Sequence, residues 1–205
     1  MCLEEMKMYA YIKGSLEEKM ANYVVVEAYG IGYKIFMSKN AIYQIGEIGS
    51  QVKVYTHHHV REDEISLYGF LSNEELKMFE LLISVSGVGA KSAIAMLSNI
   101  TPSEFAMSII SNDITKLTKV PGIGKKSAQR IVLELKDKLK KEQDIVAEEQ
   151  EETIIAQNTE VEEAIAALQI LGYQRKEIEK ALAKFDYQAM TVEDVIRNGL
   201  KNLAN

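Results

Sequence analysis

The sequence predicts an α+β chain in three folded parts: a small closed β-barrel, a helical domain built on a duplicated turn, and a three-helix tail. Three observations predict it. Strand-forming residues separated by Gly and Asn fill residues 8–71. From Ser72 onward the apolar residues recur at helical rather than strand spacing. A short glycine-bearing stretch also occurs twice, beginning at Ser84 and again at Lys119. Residues 1–7 precede all of this and read as an N-terminal extension, with Met8 as a second candidate start.

The barrel comes first, over 8–71. "MYAYIKG", "NYVVVEAYG", "GYKIFM", "QVKVYTHHHV" and "ISLYGF" are rich in Val, Ile, Tyr and Phe, the residues that suit a pleated, half-buried surface. Five short strands in a segment of this size suit an OB-fold, which removes exposed sheet edges by closing on itself. Gly30 with Gly32 marks one tight connection and "EIGS" before Gln51 another.

Helices follow, over 72–141. "SNEELKMFELLISV" opens with Ser72 as N-cap and Glu75 three residues on, a capping box, and sets Leu76, Phe79, Leu82 and Ile83 on one face. "TPSEFAMSIISN" opens with Thr101 and has Pro102 at its first helical position. "DITKLTKV" is a further short helix, and Lys126–Lys141 a longer one ending in lysines, which suits the negative end of its dipole. Residues 142–158 include the acidic run "EQDIVAEEQEET", with no basic residue, and read as a charged flexible linker. Three amphipathic segments complete the chain over 159–205: "TEVEEAIAALQILG", "QRKEIEKALAKF" and "TVEDVIRNGLKNLA". Gly172 closes the first, and Thr191 with Asp194 caps the third.

Composition excludes several classes. Of 205 residues, 47% are apolar and 26% charged, which is ordinary for a globular protein. Cys2 is the only cysteine, so neither an intramolecular disulfide nor a cysteine-based zinc or iron–sulfur site is available. No apolar run reaches the roughly 18 residues of a membrane span, and "MCLEEMK" has no signal-peptide core, so a cytoplasmic location is expected. The net charge of −6 looks wrong for a polyanion binder until it is divided. Residues 1–71 carry −2, residues 72–141 carry +4, and residues 142–205 carry −8. Screening confines charge effects to about 8–10 Å at physiological salt, so the basic middle can act locally.

The duplicated turn lies in that basic middle. "SVSGVGAKSAIAML" (84–97) and "KVPGIGKKSAQRIV" (119–132) share Val85/Val120, Gly87/Gly122, Gly89/Gly124, Lys91/Lys126, Ser92/Ser127 and Ala93/Ala128. Nucleotide loops fail on spacing. A P-loop would need glycine at Lys119 and Ser or Thr at Lys126. A dinucleotide loop would need glycine at Ser127. Two copies in one context instead indicate a duplicated unit, the tandem helix-hairpin-helix. Its glycines permit close backbone approach, and the helix opening beyond each one points free amides and a positive dipole end outward. Lysines there add charge without reading bases, so contact would be to phosphates and indifferent to sequence. The plainer reading is a pair of turns that merely need glycine; it leaves the repeated lysines unaccounted for.

Other candidates are weaker. His57, His58 and His59 alternate faces on a strand, so they cannot converge on one metal ion, and packing or phosphate contact is expected. "REDE" (61–64) reads by composition as a polar hairpin turn. A helix-hairpin-helix glycosylase is the enzymatic rival. It needs an aspartate after a Gly/Pro turn downstream of the hairpin, and the stretch from Lys125 to Asp144 contains the uninterrupted helical "LELKDKLKKEQ". No cofactor is expected, and no ATPase motif is present.

From Met8 onward the chain resembles the RuvA family, DNA-binding subunits of the Holliday-junction branch-migration complex. The likeness rests on the barrel with "HVREDEISLYGF", the hairpins "SGVGAKSA" and "PGIGKKSA", the acidic linker and the three-helix tail, which the resemblance makes UBA-like. It implies a homotetramer, or an octamer on DNA, that holds a four-way junction open and planar in recombination, DNA repair and the SOS response. The tail would contact RuvB, the hexameric ATPase motor, and RuvC resolvase would be a further partner. Carried over residue by residue, Gly87, Val88, Gly89, Gly122, Ile123 and Gly124 fall at phosphate-binding turns. Lys91, Lys125, Lys126 and Arg130 fall at their flanks, and Glu62 and Asp63 at an acidic pin near the junction centre. Ala90 stands where the second hairpin has Lys125, so the first grip should rest more on amides.

Overall fold

The computed structural model describes residues 8–62, 64–147, 159–187 and 190–203. They form two compact units that meet in sequence at Glu80 and Leu81.

In the first unit, β1 (Tyr11–Lys19), β2 (Tyr23–Ala28), β3 (Ile31–Met37), β4 (Gln51–Val60) and β5 (Ile65–Phe70) close into a barrel of order β1-β2-β3-β5-β4. Every pairing is antiparallel except β3 with β5, which is parallel. Strict alternation sends Ile12, Leu16, Val24, Val26, Ile35, Met37, Val52 and Val54 inward. Gly69 sits among them because a Cβ there would collide with the side chains of Ile35 and Val54. The expected first strand ended at Gly14, but β1 runs five residues further, to Lys19. Gly14 is a contact rather than a break: a Cβ there would overlap the carbonyl oxygen of Glu27 on β2. The β2–β3 connection is the two-residue Tyr29-Gly30, both at positive φ (54° and 83°), as a type I′ hairpin needs. Gly32 lies inside β3 opposite Glu27.

Between β3 and β4 lies α1 (Lys39–Gln44), capped by the Ser38 hydroxyl, which accepts from the Ala41 amide at 3.1 Å. It adds Ala41 and Ile42 to the barrel core. The helix α2 (Asn73–Ile83) follows β5. Ser72 caps it as expected, but the Glu75 carboxylate accepts from the amide of Leu71 rather than that of Ser72. Phe79 is fully buried, with ring centroids 4.9 Å from Phe70, 5.2 Å from Tyr68 and 5.2 Å from His57.

The second unit continues with α3 (Ala90–Leu97), α4 (Pro102–Ile110), α5 (Ile114–Thr118), α6 (Lys125–Ala147), α7 (Thr159–Ile170), α8 (Arg175–Leu182) and α9 (Val192–Leu203). Its hub is α4. Thr101 and Glu104 form a complete capping box ahead of Pro102, and Phe105, Ala106 and Ile109 are fully buried. One side of α4 packs with α5 and α6, and α7 and α9 also lie against it. The tail expected to stand apart therefore shares this hub, because α4 is apolar around most of its circumference. Helix α6 reaches Ala147, into the segment read as linker; Glu, Gln, Lys and Ala are good helix formers. The rest of that segment, 148–158, and the extension 1–7 lie outside the described residues.

Candidate nucleic-acid interface

The two glycine turns repeat bond for bond at a constant offset. Val85 N–H donates to the Leu82 carbonyl at 3.1 Å, and Val120 N–H to that of Leu117 at 3.2 Å. Val88 N–H returns to the Val85 carbonyl, and Ile123 N–H to that of Val120, both at 3.1 Å. Ala93 N–H reaches the Gly89 carbonyl at 3.0 Å and Ala128 N–H that of Gly124 at 2.9 Å, opening α3 and α6.

Within each turn the two glycines do different work. Gly87 and Gly122 have φ of 81° and 85°, a conformation that costs an L side chain about 1–2 kcal/mol. Gly89 has an ordinary φ of −91°, Gly124 is absent from the positive-φ residues, and a Cβ on either would meet nothing within 4 Å. The fold does not require glycine at 89 or 124. Between the glycines, Val88 and Ile123 are buried, and their amides are consumed inside the turn. The outward amides therefore belong to the first turns of α3 and α6, not to Val88 or Ile123.

Those helix starts are unlike the others. In α2, α4, α8 and α9 the first turn carries Glu or Asp, as the positive end of a helix dipole favours. The first turns of α3 and α6 carry no acid, and Gly89 offers α3 no side-chain cap. Lys91, Lys125 and Lys126 are exposed there, and among the described residues none forms an ion pair. Two helix starts thus present uncapped amides, lysines and open space together, which is the chemistry of an anion site.

Arg130 departs from the expected flanking role. Its Nη1 donates to the Ser86 carbonyl at 3.1 Å, and its Nε lies 3.9 Å from Glu134 Oε1. Glu134 Oε2 in turn accepts from the Ser86 amide at 3.3 Å. Neither Ser86 nor Glu134 stands out in the sequence, because the contact runs through main-chain atoms.

In the barrel unit, Arg61 N–H donates to the Glu64 carbonyl at 2.8 Å and closes the β4–β5 turn. Glu64 accepts from the Ser66 hydroxyl, while Glu62 is exposed at the tip. Asp63 lies outside the described residues. His57 is buried with Nδ1 3.3 Å from Glu80 Oε1, and the Tyr9 ring packs on His58. His59 Nε2 accepts from Arg61 Nε at 3.0 Å. Burial first, then the charges of Arg61 and His57, hold the His59 pKa below its usual value against the opposing pull of Glu64. The three imidazoles are engaged separately.

Comparison with known proteins gives three consecutive family matches: RuvA N-terminal domain over residues 8–69, SAM-like helix-hairpin-helix tandem over 79–137, and RuvA C-terminal domain over 159–204. A protein of Acetivibrio thermocellus is 52% identical over 200 residues, covering 96% of this chain and 99% of the relative. The chain belongs to the RuvA family. A relative from Ruminiclostridium cellulolyticum is 46% identical and one from Clostridium perfringens strain SM101 is 44% identical, each covering 96% of this chain and 99% or more of the relative. All three relatives are named Holliday junction branch migration complex subunit RuvA. The RuvA N-terminal match opens at Met8, where the sequence resemblance began, and the helix-hairpin-helix match contains both turns.

The division of labour between glycines is testable without DNA. Gly87→Ala and Gly122→Ala should each lower the unfolding free energy by about 1–2 kcal/mol in urea titrations. Gly89→Ala and Gly124→Ala should stay within about 0.5 kcal/mol of the parent.

Proposed function

We propose that this RuvA-family chain binds four-way DNA junctions through backbone phosphates, without regard to sequence. As a homotetramer it holds the junction open and planar. Through residues 159–205 it recruits a RuvB-type hexameric ATPase, with RuvC resolvase acting on the same junction. On this reading it is the non-catalytic DNA-binding subunit, and the chemistry of ATP hydrolysis lies in the partner. The observation that carries the reading is the pair of glycines, Gly89 and Gly124, that the fold itself does not need. Serine, aspartate or asparagine would cap α3 and α6 better. Glycine leaves the amides free and the approach open, which serves a phosphate and nothing internal. The names of the relatives supply the four-way junction as the source of that phosphate.

The direct test replaces both glycines with serine. Gly89→Ser with Gly124→Ser supplies a hydroxyl to the first-turn amides, so stability should hold or rise by a few tenths of a kcal/mol. Affinity for a synthetic junction should fall about tenfold or more, the cost of losing hydrogen bonds to a charged group. Titrations of junction and linear duplex must share one salt concentration, because phosphate binding is steeply salt-dependent. Parental junction affinity in this variant would sink the phosphate assignment.

The exposed acid at the β4–β5 tip generates a second expectation. Carboxylates near phosphates repel them, so Glu62 and Asp63 serve discrimination rather than affinity if they stand at the junction centre. Glu62→Gln with Asp63→Asn should keep junction affinity, tighten linear-duplex binding and narrow the preference between them. An unchanged junction-to-duplex ratio returns "REDE" to being a solvated turn.

The tail generates a third. Removing residues 148–205 should abolish ATPase-driven branch migration while junction binding stays within about threefold, less than one ordinary hydrogen bond is worth. Because α7 and α9 lie on α4, the melting temperature should also drop. Full migration activity in the truncated chain would refute the recruiting role.

A further inference from the structure

The duplication is broken at one place. The offset that superposes the two turns carries Ser86 onto Pro121, Arg130 onto Ala95, and Glu134 onto Asn99. On one side of the repeat, Ser86 gives both its main-chain groups to α6: the carbonyl accepts from Arg130 Nη1 at 3.1 Å and the amide donates to Glu134 at 3.3 Å. On the other side the same bonds are chemically impossible. Pro121 has no N–H, Ala95 has no donor, and the Asn99 side chain donates to the Ala95 carbonyl of its own helix at 2.7 Å. Arg130 and Glu134 are i and i+4 on α6, so one helical face presents a donor and an acceptor side by side. The place they hold is the residue immediately before Gly87, the positive-φ glycine of the first turn, and a Cβ on Gly87 would stand 3.4 Å from Arg130 Nη1.

We propose that Arg130 and Glu134 are positioning residues: they clamp the first phosphate turn to the helix that opens the second, and so fix the separation at which two turns meet one duplex arm. The proposal rests on the phosphate-binding reading of those turns. Glu134 is its telling member. A carboxylate on a phosphate-binding surface lowers affinity by repulsion, and here one carboxylate oxygen is occupied by the turn's own amide. Arg130 neutralises that carboxylate and fills the adjacent carbonyl, so the pair adds almost no net charge to the surface. Simple electrostatics and the clamp therefore make opposite predictions for the same substitution.

The experiment compares Glu134→Ala, Glu134→Gln and Arg130→Ala in the full chain, with Lys126→Ala as a reference for a phosphate contact. Two readouts are taken: junction affinity across a salt series, and amide hydrogen exchange over residues 84–89 without DNA. Glutamine keeps an oxygen that can accept from Ser86, and alanine does not. The clamp predicts that Glu134→Ala weakens junction binding about tenfold, although it removes a negative charge, since a hydrogen bond to a charged group is lost. It predicts that Glu134→Gln rescues binding to within about twofold of the parent, a few tenths of a kcal/mol. Exchange at 84–89 should quicken in Glu134→Ala and Arg130→Ala but not in Glu134→Gln. The salt slope should stay at the parental value in Arg130→Ala and fall by about one unit in Lys126→Ala. Equal tightening by both Glu134 variants overturns the proposal, as does a one-unit loss of slope in Arg130→Ala with exchange unchanged. Because exchange is read without DNA, a parent that showed no junction preference would overturn the functional reading while the clamp was still scored.

Discussion

In each turn, one main-chain hydrogen bond reaches from the residue after the positive-φ glycine back to a valine carbonyl, Val88 to Val85 and Ile123 to Val120. The rest of the site depends on that closure. It forces the intervening Gly87 or Gly122 into a conformation that excludes other residues at modest cost. It also turns Val88 and Ile123 inward, where burying each aliphatic side chain contributes about 1.5–3 kcal/mol. With the middle residue held inside, the next glycine is left outside at a helix start. The binding surface is thus the by-product of a packing event. Hydrophobic burial fixes the turn, and the exposed amides follow from where the turn must end.

What the sequence made legible tracks how local each cause is. Strands β4 and β5 were readable to the residue because alternation and their flanking turns lie within the segments themselves. Strand β1 was cut short at Gly14, since the reason for that glycine is a carbonyl on β2, distant in sequence. Helix α1, six residues long, is too short to show a period. The union of α7 and α9 with α4 was hidden because an apolar helix does not say how many neighbours share it.

The site divides in the same way. The glycines and lysines of the turns were found through their repetition, which needs no structure. The amides of Val88 and Ile123 were assigned outward, yet they are spent inside, a distinction that only the closing hydrogen bonds reveal. Ser86 and Glu134 left no trace, for serine before a glycine turn and glutamate on a charged helix are both unremarked residues. The missing acids at the starts of α3 and α6 were present in the sequence all along. They became a signal only when the other helix starts were seen to carry them.

Uncapped helix starts have a thermodynamic consequence. A ligand that occupies the folded form alone stabilises it by mass action, by about 2.7 kcal/mol when present at a hundred times its dissociation constant. A chain that withholds its own caps at α3 and α6 leaves that share of stability to be supplied from outside. The protein without a polyanion is then the less durable species, more open to local unraveling at residues 89–92 and 124–127 and to the proteases that act on such openings. Survival of the subunit becomes linked to occupancy, so that copies resting on their target outlast those that are free.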